Sequence, residues 1–321
     1  MSKYRILSLC GGGVRGIMTA TILERLELEH PGFLDSIDLM AGTSAGSNII
    51  SLLLGDYSAK DIGQRFRDFL VHYQPEKRNN TDPSRPMYNI QDFVDALTVL
   101  HPGNPPLKHF KQQFLMTSFQ LGDSKDFPHW NQIIFNNLRH SDNAKVGIVD
   151  ATVSSCVMGG MFGVHQFHYK HGPIYTVDGA FAHHDPTLIA IAFAIQEGHA
   201  LEDIVVVDIG TGFMPQSLPG ERVKDWGAQQ WTYANNKDAL VPPLLTNQPF
   251  SMPVFDMILN GTNTTMVEDL ARMMLPKRFV NINPHIRNIS ETDNTAIPYL
   301  IEKGLEVDLH HANKLIRKQW F

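Results

Sequence analysis

A serine held between glycines is the residue in this sequence best placed for covalent chemistry. Gly42-Thr43-Ser44-Ala45-Gly46 follows the apolar run Leu39-Met40-Ala41 and leads into Asn48-Ile49-Ile50-Ser51-Leu52-Leu53-Leu54, which Gly55 closes. A strand that reverses into a helix within so few residues forces the central serine into a strained backbone conformation, and the flanking glycines let the helix pass close to its neighbours. Ser44 is therefore expected at the carboxyl end of a strand, with a helix N-terminus behind it. A serine hydroxyl is a weak nucleophile at neutral pH, so this position matters only if a base and oxyanion donors reach it. The same spacing also serves a turn that uses small residues for packing.

Two further stretches offer the missing groups. Gly11-Gly12-Gly13-Val14-Arg15-Gly16 follows the apolar run Tyr4 to Cys10 and has the G-x-G-x-x-G spacing. A dinucleotide site would want an acidic residue at the end of the next strand, whereas Asp38 sits at that strand's beginning and the serine turn occupies its end. The competing use is an oxyanion hole, because consecutive glycines turn backbone N–H groups toward one point, and Arg15 adds charge or braces the loop. Asp178-Gly179-Ala180 ends a hairpin read over Gln166 to Tyr169 and Pro173 to Val177. An aspartate desolvated beside Ser44 would gain enough basicity to take its proton. The α/β-hydrolase triad needs several strands before the serine, and Ser44 comes too early for it. His183, His184, His310 and His311 sit in no turn that closes a strand. His165 and His168 would face opposite ways on a strand, and neither H-E-x-x-H nor a paired-cysteine pattern occurs, so neither a metal nor another cofactor is expected.

The elements that must position these groups read as an α/β alternation. Strand, glycine loop, helix, strand, serine turn and helix make a βαβ start to a parallel sheet, with both glycine turns on one rim. An amphipathic helix is predicted over Ala59 to Tyr73, a helix at Ile90 to Leu100, and strands at Phe114 to Leu121 and Trp130 to Asn136. The proline-punctuated stretch 75–128 reads as an insertion or lid over the rim. A small-residue helix and turn spans Val146 to Gly163, a buried helix Thr187 to Glu197, and the clearest central strand Asp203 to Ile209. Residues 213–321 read as an elaboration whose Trp, Met and Phe residues up to 275 are expected mainly in the core, with a strand at Arg278 to Ile282 and two terminal helices. No internal repeat or low-complexity linker is visible, so residues 1–321 are read as a single domain.

Composition narrows the function classes. The 321 residues are 43% hydrophobic and carry a net charge of −6 without a long basic run, which fits a globular protein and argues against a nucleic-acid polymer as partner. No apolar stretch approaches the roughly 18 residues of a membrane span. A signal core is absent and there are only two cysteines, Cys10 and Cys156, so a reducing, cytoplasmic setting is expected.

Taken together, Gly11 to Gly16, Gly42 to Gly46 and Asp178-Gly179-Ala180 resemble the three signatures of the patatin-like phospholipase family, over a core of about residues 4–212. The departures are Cys10, where many members carry Asp, and Ser154 to Gly163, where members often have an Ala-Ala-Pro sequence. The resemblance implies a three-layer α/β/α fold with a mainly parallel sheet. It implies Ser44 as nucleophile, Asp178 as proton acceptor, an oxyanion hole at Gly11, Gly12 and Gly13 supported by Arg15, and Gly16, Gly42, Gly46, Gly179 and Ala180 as motif positions. The expected activity is metal-free hydrolysis of fatty-acyl esters of phospholipids by a protein that associates peripherally with membrane when active. A thioesterase or general esterase on soluble substrates and an inactive lipid-binding module are the alternatives. The sequence also resembles bacterial antiphage phospholipases switched on by cyclic oligonucleotides, which implies antiviral defence, a nucleotide activator and a gate in 75–128 or 213–255. A homo-oligomer is left open.

Overall fold

Parallel pairing of two short apolar strands builds the rim that carries the glycine turns. In the computed structural model, which describes residues 3–55, 61–72, 85–122, 125, 128–214, 220–232, 234–235, 250–251 and 253–321, β1 (Tyr4–Leu9) lies beside β2 (Leu39–Gly42), with Leu9 opposite Gly42. The helix α1 (Gly16–Glu29) makes the crossover between them, and α2 (Ala45–Leu54) leaves from the end of β2. All of β1 except Arg5 is buried, as a strand with helices on both faces must be.

Next come α3 (Ile62–His72), α4 (Ile90–Leu100), β3 (Gln113–Gln120), β4 (Asn131–Asn136), α5 (Ile148–Cys156), β5 (His165–Tyr169) and β6 (Gly172–Asp178). The one-turn α6 (Ala180–His183) leads to α7 (Thr187–Gln196) and β7 (Ile204–Ile209). Beyond it lie α8 (Gly220–Val223), α9 (Ala228–Thr232), the small pair β8 (Ala234–Asn235) and β9 (Phe250–Ser251), α10 (Pro253–Asp256) and α11 (Asn263–Met274). Then β10 (Phe279–Ile282) enters the main sheet, followed by α12 (Ile297–Glu306) and α13 (His310–Leu315). The strand order is β10-β7-β1-β2-β3-β6-β5, with β4 on the other edge of β3. The run from β10 to β3 is parallel, while β4, β6 and β5 pair antiparallel.

Two apolar layers cover the sheet. One joins Leu7 and Leu9 of β1 to Ile17 and Met18 of α1, Ile49 and Ile50 of α2, Phe66 of α3, Val153 of α5 and Leu300 of α12. The other joins Ile6 and Val206 to Ala190, Ile191 and Ala194 of α7 and Ala271 of α11. The fold is therefore three-layer α/β/α with a mostly parallel central sheet, as the alternation of elements indicates.

Two expectations are corrected. The stretch 75–128 does not act as a cover throughout, because β3 lies inside the sheet and its residues Phe114 to Ser118 are fully buried. Its prolines punctuate the connections to a central strand, which composition alone cannot distinguish from an insertion. Within 213–275, Met214, Val223, Leu259, Val267 and Ala271 are buried, but Val254, Met257, Ile258, Met266, Leu270 and Met273 are exposed. The exposed Met266, Leu270 and Met273 recur at helical spacing on the solvent side of α11, so periodicity there marks a surface face rather than core. Residues 59, 60 and 73 of the expected helix Ala59 to Tyr73, and residues 75–84, 123–124, 126–127, 215–219, 233, 236–249 and 252 of the expected gate segments, lie outside the described residues.

A close joint in this frame lies between α2 and β1, where a Cβ added at Gly46 would stand 2.1 Å from the Leu9 carbonyl oxygen. Backbone cannot give way as a side-chain tip can. Gly46→Ala is expected to lower stability in urea unfolding by about 1–3 kcal/mol or more.

Candidate active site

The edge of β3 explains how turns far apart in sequence come together. Along that edge β2 pairs up to Gly42 opposite Met116, and the antiparallel β6 pairs from the other direction, down to Asp178 opposite Ser118. β4 holds the opposite edge over Leu115 to Gln120, so β2 and β6 must meet end to end on the first. Thr117 stands at the junction. Its hydroxyl is 2.7 Å from that of Thr43, the residue before the serine, and Gly179 passes so close that an added Cβ would lie 2.1 Å from Thr117 Oγ1. The Thr43 hydroxyl also donates to the His183 carbonyl at 2.6 Å, tying the two turns directly.

Ser44 occupies the strained position its spacing anticipates. Its φ of 53° and ψ of −119° are held by three bonds: its N–H donates to Ser155 Oγ at 3.0 Å, and its carbonyl accepts from Cys156 Sγ at 3.0 Å and from Asn48 N at 3.0 Å. α5 thus clamps the elbow from the side. Ser44 and Asp178 both line a cavity of about 560 Å³ whose other walls include Gly13, Phe66, Phe69, Phe93, Met158 and Phe162. That size and lining fit an apolar ligand met by a few polar groups.

Burial dominates the electrostatics of Asp178, which is 1% exposed. It raises the carboxyl pKa from 3.8 to about 7, against the Ala180 N–H bond at 2.8 Å, with the Glu291 charge adding to the rise and the Ser44 hydroxyl opposing it. A carboxylate of that strength sits near the ideal for a general base at neutral pH.

The glycine loop needs one correction. The Gly11 N–H is taken by the His184 carbonyl at 3.0 Å and cannot serve an oxyanion. Val14 N–H goes to the Glu291 carbonyl at 2.8 Å, and Arg15 N–H to the Gly12 carbonyl at 3.1 Å. Among the described residues, the amides of Gly12 and Gly13 have no partner, and the positive φ values of 149° and 57° there need glycine. The Arg15 side chain braces the loop from within: Nε donates to the Gly12 carbonyl at 3.2 Å, Nη1 to Met214 Sδ at 3.4 Å and Nη2 to Glu291 Oε1 at 3.1 Å. Gly16 meets Phe66 and Ala45, and Gly42 lies beneath Ser47 N, so both serve close packing.

Glu291 is a site residue that the sequence did not flag. It reaches the cavity from the connection before α12 and carries no local signature. His184 is not a triad base: buried beside Arg15, its imidazole is held neutral, lowered from 6.5 to about 3 by burial first and the guanidinium second. Among the described residues, the metal-ligating residue types that converge are Cys10, Asp185 and Asp208, all buried, with ligand-type atoms within 4.8 Å of one another. Cys10 donates toward Asp208 Oδ1 at 3.7 Å, and burial together with mutual charge raises the carboxyl of Asp208 far above its ordinary range. His165 instead pairs with Asp150 at 3.1 Å.

Residues 7–191 match the family model described as patatin-like phospholipase, and the chain belongs to this family. Among curated relatives, CotR of Bacillus subtilis, which carries the name of a sporulation hydrolase, is 28% identical over 100% of this chain and 99% of its own length. Protein teg of Priestia megaterium is 26% identical over the whole of both chains. A cUMP-AMP-activated phospholipase of Escherichia coli is 25% identical over 70% of this chain and 71% of that protein. No helix among the described residues is long and apolar enough to cross a membrane.

The buried acids make stability pH-dependent with a definite sign. Asp185 has its pKa raised from 3.8 to about 6, so the folded protein binds a proton there that the unfolded chain has already released. The part of the stability that Asp185 controls, raised by its burial, is fully present below about 4 and is lost as pH rises through about 6. Thermal unfolding of Asp185→Asn is expected to show a shallower fall in Tm across that window than the unsubstituted protein.

Proposed function

We propose that this protein is a serine acyl hydrolase that cleaves fatty-acyl esters of phospholipids through Ser44 and Asp178. The observation that carries this reading is the end-to-end meeting of β2 and β6 on β3, which brings a strained serine and a buried, basic carboxylate to one cavity. Ser44 Oγ attacks the ester carbonyl carbon while Asp178 takes its proton, and the Gly12 and Gly13 amides receive the negative charge developing on the carbonyl oxygen. Collapse of the tetrahedral intermediate breaks the ester C–O bond, and Asp178 returns its proton to the departing alcohol. Water, deprotonated by Asp178, then attacks the acyl-serine and releases the fatty acid, restoring the hydroxyl.

The family membership supports a lipid substrate. So do the apolar cavity walls and the exposed Met257 and Ile258, which immediately precede Leu259 where it packs with Ala180 and the cavity-lining Met158. Side chains of that kind suit contact with a lipid surface. Activation by a cyclic nucleotide is a second reading, carried by the relative named for cUMP-AMP activation. Liposome hydrolysis that rises on addition of a cyclic dinucleotide supports it, and an unchanged rate removes it.

Mass-spectrometric assay of fatty-acid release from mixed liposomes is expected to show a loss of about 10³-fold or more in both Ser44→Ala and Asp178→Asn, with cooperative unfolding retained. Full activity in either variant would end the dyad assignment. Because Asp178 must be ionised to accept the proton, kcat/KM is expected to rise about tenfold per pH unit up to about 7 and then level off.

A further inference from the structure

The segment that clamps the nucleophile also builds part of the cavity wall. Ser155 and Cys156, at the end of α5, hold the Ser44 amide and carbonyl at 3.0 Å each. The chain then turns at once, with Met161 N–H and Phe162 N–H both donating to the Met158 carbonyl at 3.0 and 3.1 Å, and delivers Met158, Met161 and Phe162 into the cavity lining. Tyr88 is stapled to the same turn through its N–H, which donates to the Met161 carbonyl at 2.8 Å. Around Phe162 the aromatic rings close ranks: Tyr88 has its centroid 5.2 Å away and Phe93 6.2 Å, and Phe69 meets Phe93 edge-on at 5.5 Å.

A length gauge needs an origin and a stop held at a fixed separation. Here the origin is the Ser44 hydroxyl and the stop is the Phe162 cluster. The link between them is the eight residues of continuous chain from Ser155 to Phe162, whose turn is hydrogen-bonded at the Met158 carbonyl. A ring packed against two others resists displacement, because moving it would open voids in the cluster. A saturated acyl chain entering from the ester carbonyl gains from each methylene it buries until it meets this wall.

We propose that Phe162, backed by Tyr88 and Phe93, is the specificity-determining stop that sets the longest acyl chain the cavity accepts. This rests on the reading of the site as an acyl hydrolase and names what fixes its substrate. The chain's polar end stays at Ser44, Gly12 and Gly13, so the stop governs which homologue is cleaved rather than how it is cleaved.

The test is kcat/KM for p-nitrophenyl esters from butyrate to palmitate, presented in one detergent to the full-length protein and to Phe162→Leu and Phe162→Ala. The unsubstituted protein is expected to gain roughly fourfold per added methylene up to a break, beyond which activity falls. Phe162→Ala is expected to move the break to a homologue longer by about two carbons or more, and Phe162→Leu to move it less, because the cavity opened scales with the atoms removed. Each profile is a ratio between homologues within one preparation, so a smaller folded fraction in the alanine variant cancels. A break at the same homologue in all three proteins overturns the proposal. Absence of ester turnover in the unsubstituted protein removes the acyl-hydrolase reading itself, a result distinguishable from an unmoved break.

Discussion

One edge of one strand is shared by two others that arrive from opposite directions, and the site depends on that arrangement. β2 runs parallel to β3 and stops at Gly42; β6 runs antiparallel and stops at Asp178; Thr117 lies between the two pairings. A strand of the sheet has only two edges to offer, and β4 occupies the other one over Leu115 to Gln120. Each stop therefore faces the other across one residue. The turn after β2 presents Ser44 and the turn after β6 presents the carboxylate, so their encounter follows from backbone pairing before any side chain is chosen.

Burial then supplies the chemistry. An aspartate in water is too weak a base to help a serine hydroxyl, but the same group removed from solvent loses the hydration that favours its charged form. Asp178 reaches about 7 in this way, while His184, equally buried and close to Arg15, is driven in the opposite direction to about 3. One environment thereby makes the carboxylate, and not the imidazole, basic enough for the proposed role of proton acceptor. The proposed oxyanion side would use fixed backbone dipoles instead of charge. Gly12 and Gly13 keep their amides unspent because Arg15 and Glu291 hold the loop from behind, and donors oriented in advance need no reorganisation when charge develops.

What could be read from the sequence was what is local along the chain. The apolar run of β7, the turn at Gly11 to Gly16 and the elbow around Ser44 each carry their own signature in consecutive residues, and each forms where its pattern places it. What could not be read was pairing between distant segments. Nothing in Phe114 to Leu121 announces that it sits between β2, β4 and β6, and prolines on either side made that stretch look peripheral. Glu291 lies 276 residues after Arg15, and its role exists only once the connection before α12 crosses the rim. The Gly11 amide illustrates the same limit, because a glycine motif gives the backbone freedom to turn but not the identity of the acceptor it finds. The clustering of Cys10, Asp185 and Asp208 is likewise a product of β1, the start of α7 and β7 being brought side by side.

The central claim is that an acyl carbon bound at Ser44 has its oxygen directed at the glycine loop. The most direct measurement is a crystal structure of the full-length protein after reaction with a long-chain alkyl fluorophosphonate. The expected adduct has phosphorus bonded to Ser44 Oγ and a phosphonyl oxygen about 3 Å from the amide nitrogens of Gly12 and Gly13. In that adduct the Gly11 amide stays on the His184 carbonyl and the alkyl chain lies inside the cavity. An adduct elsewhere, or one on Ser44 whose phosphonyl oxygen points away from both glycines, would contradict the claim.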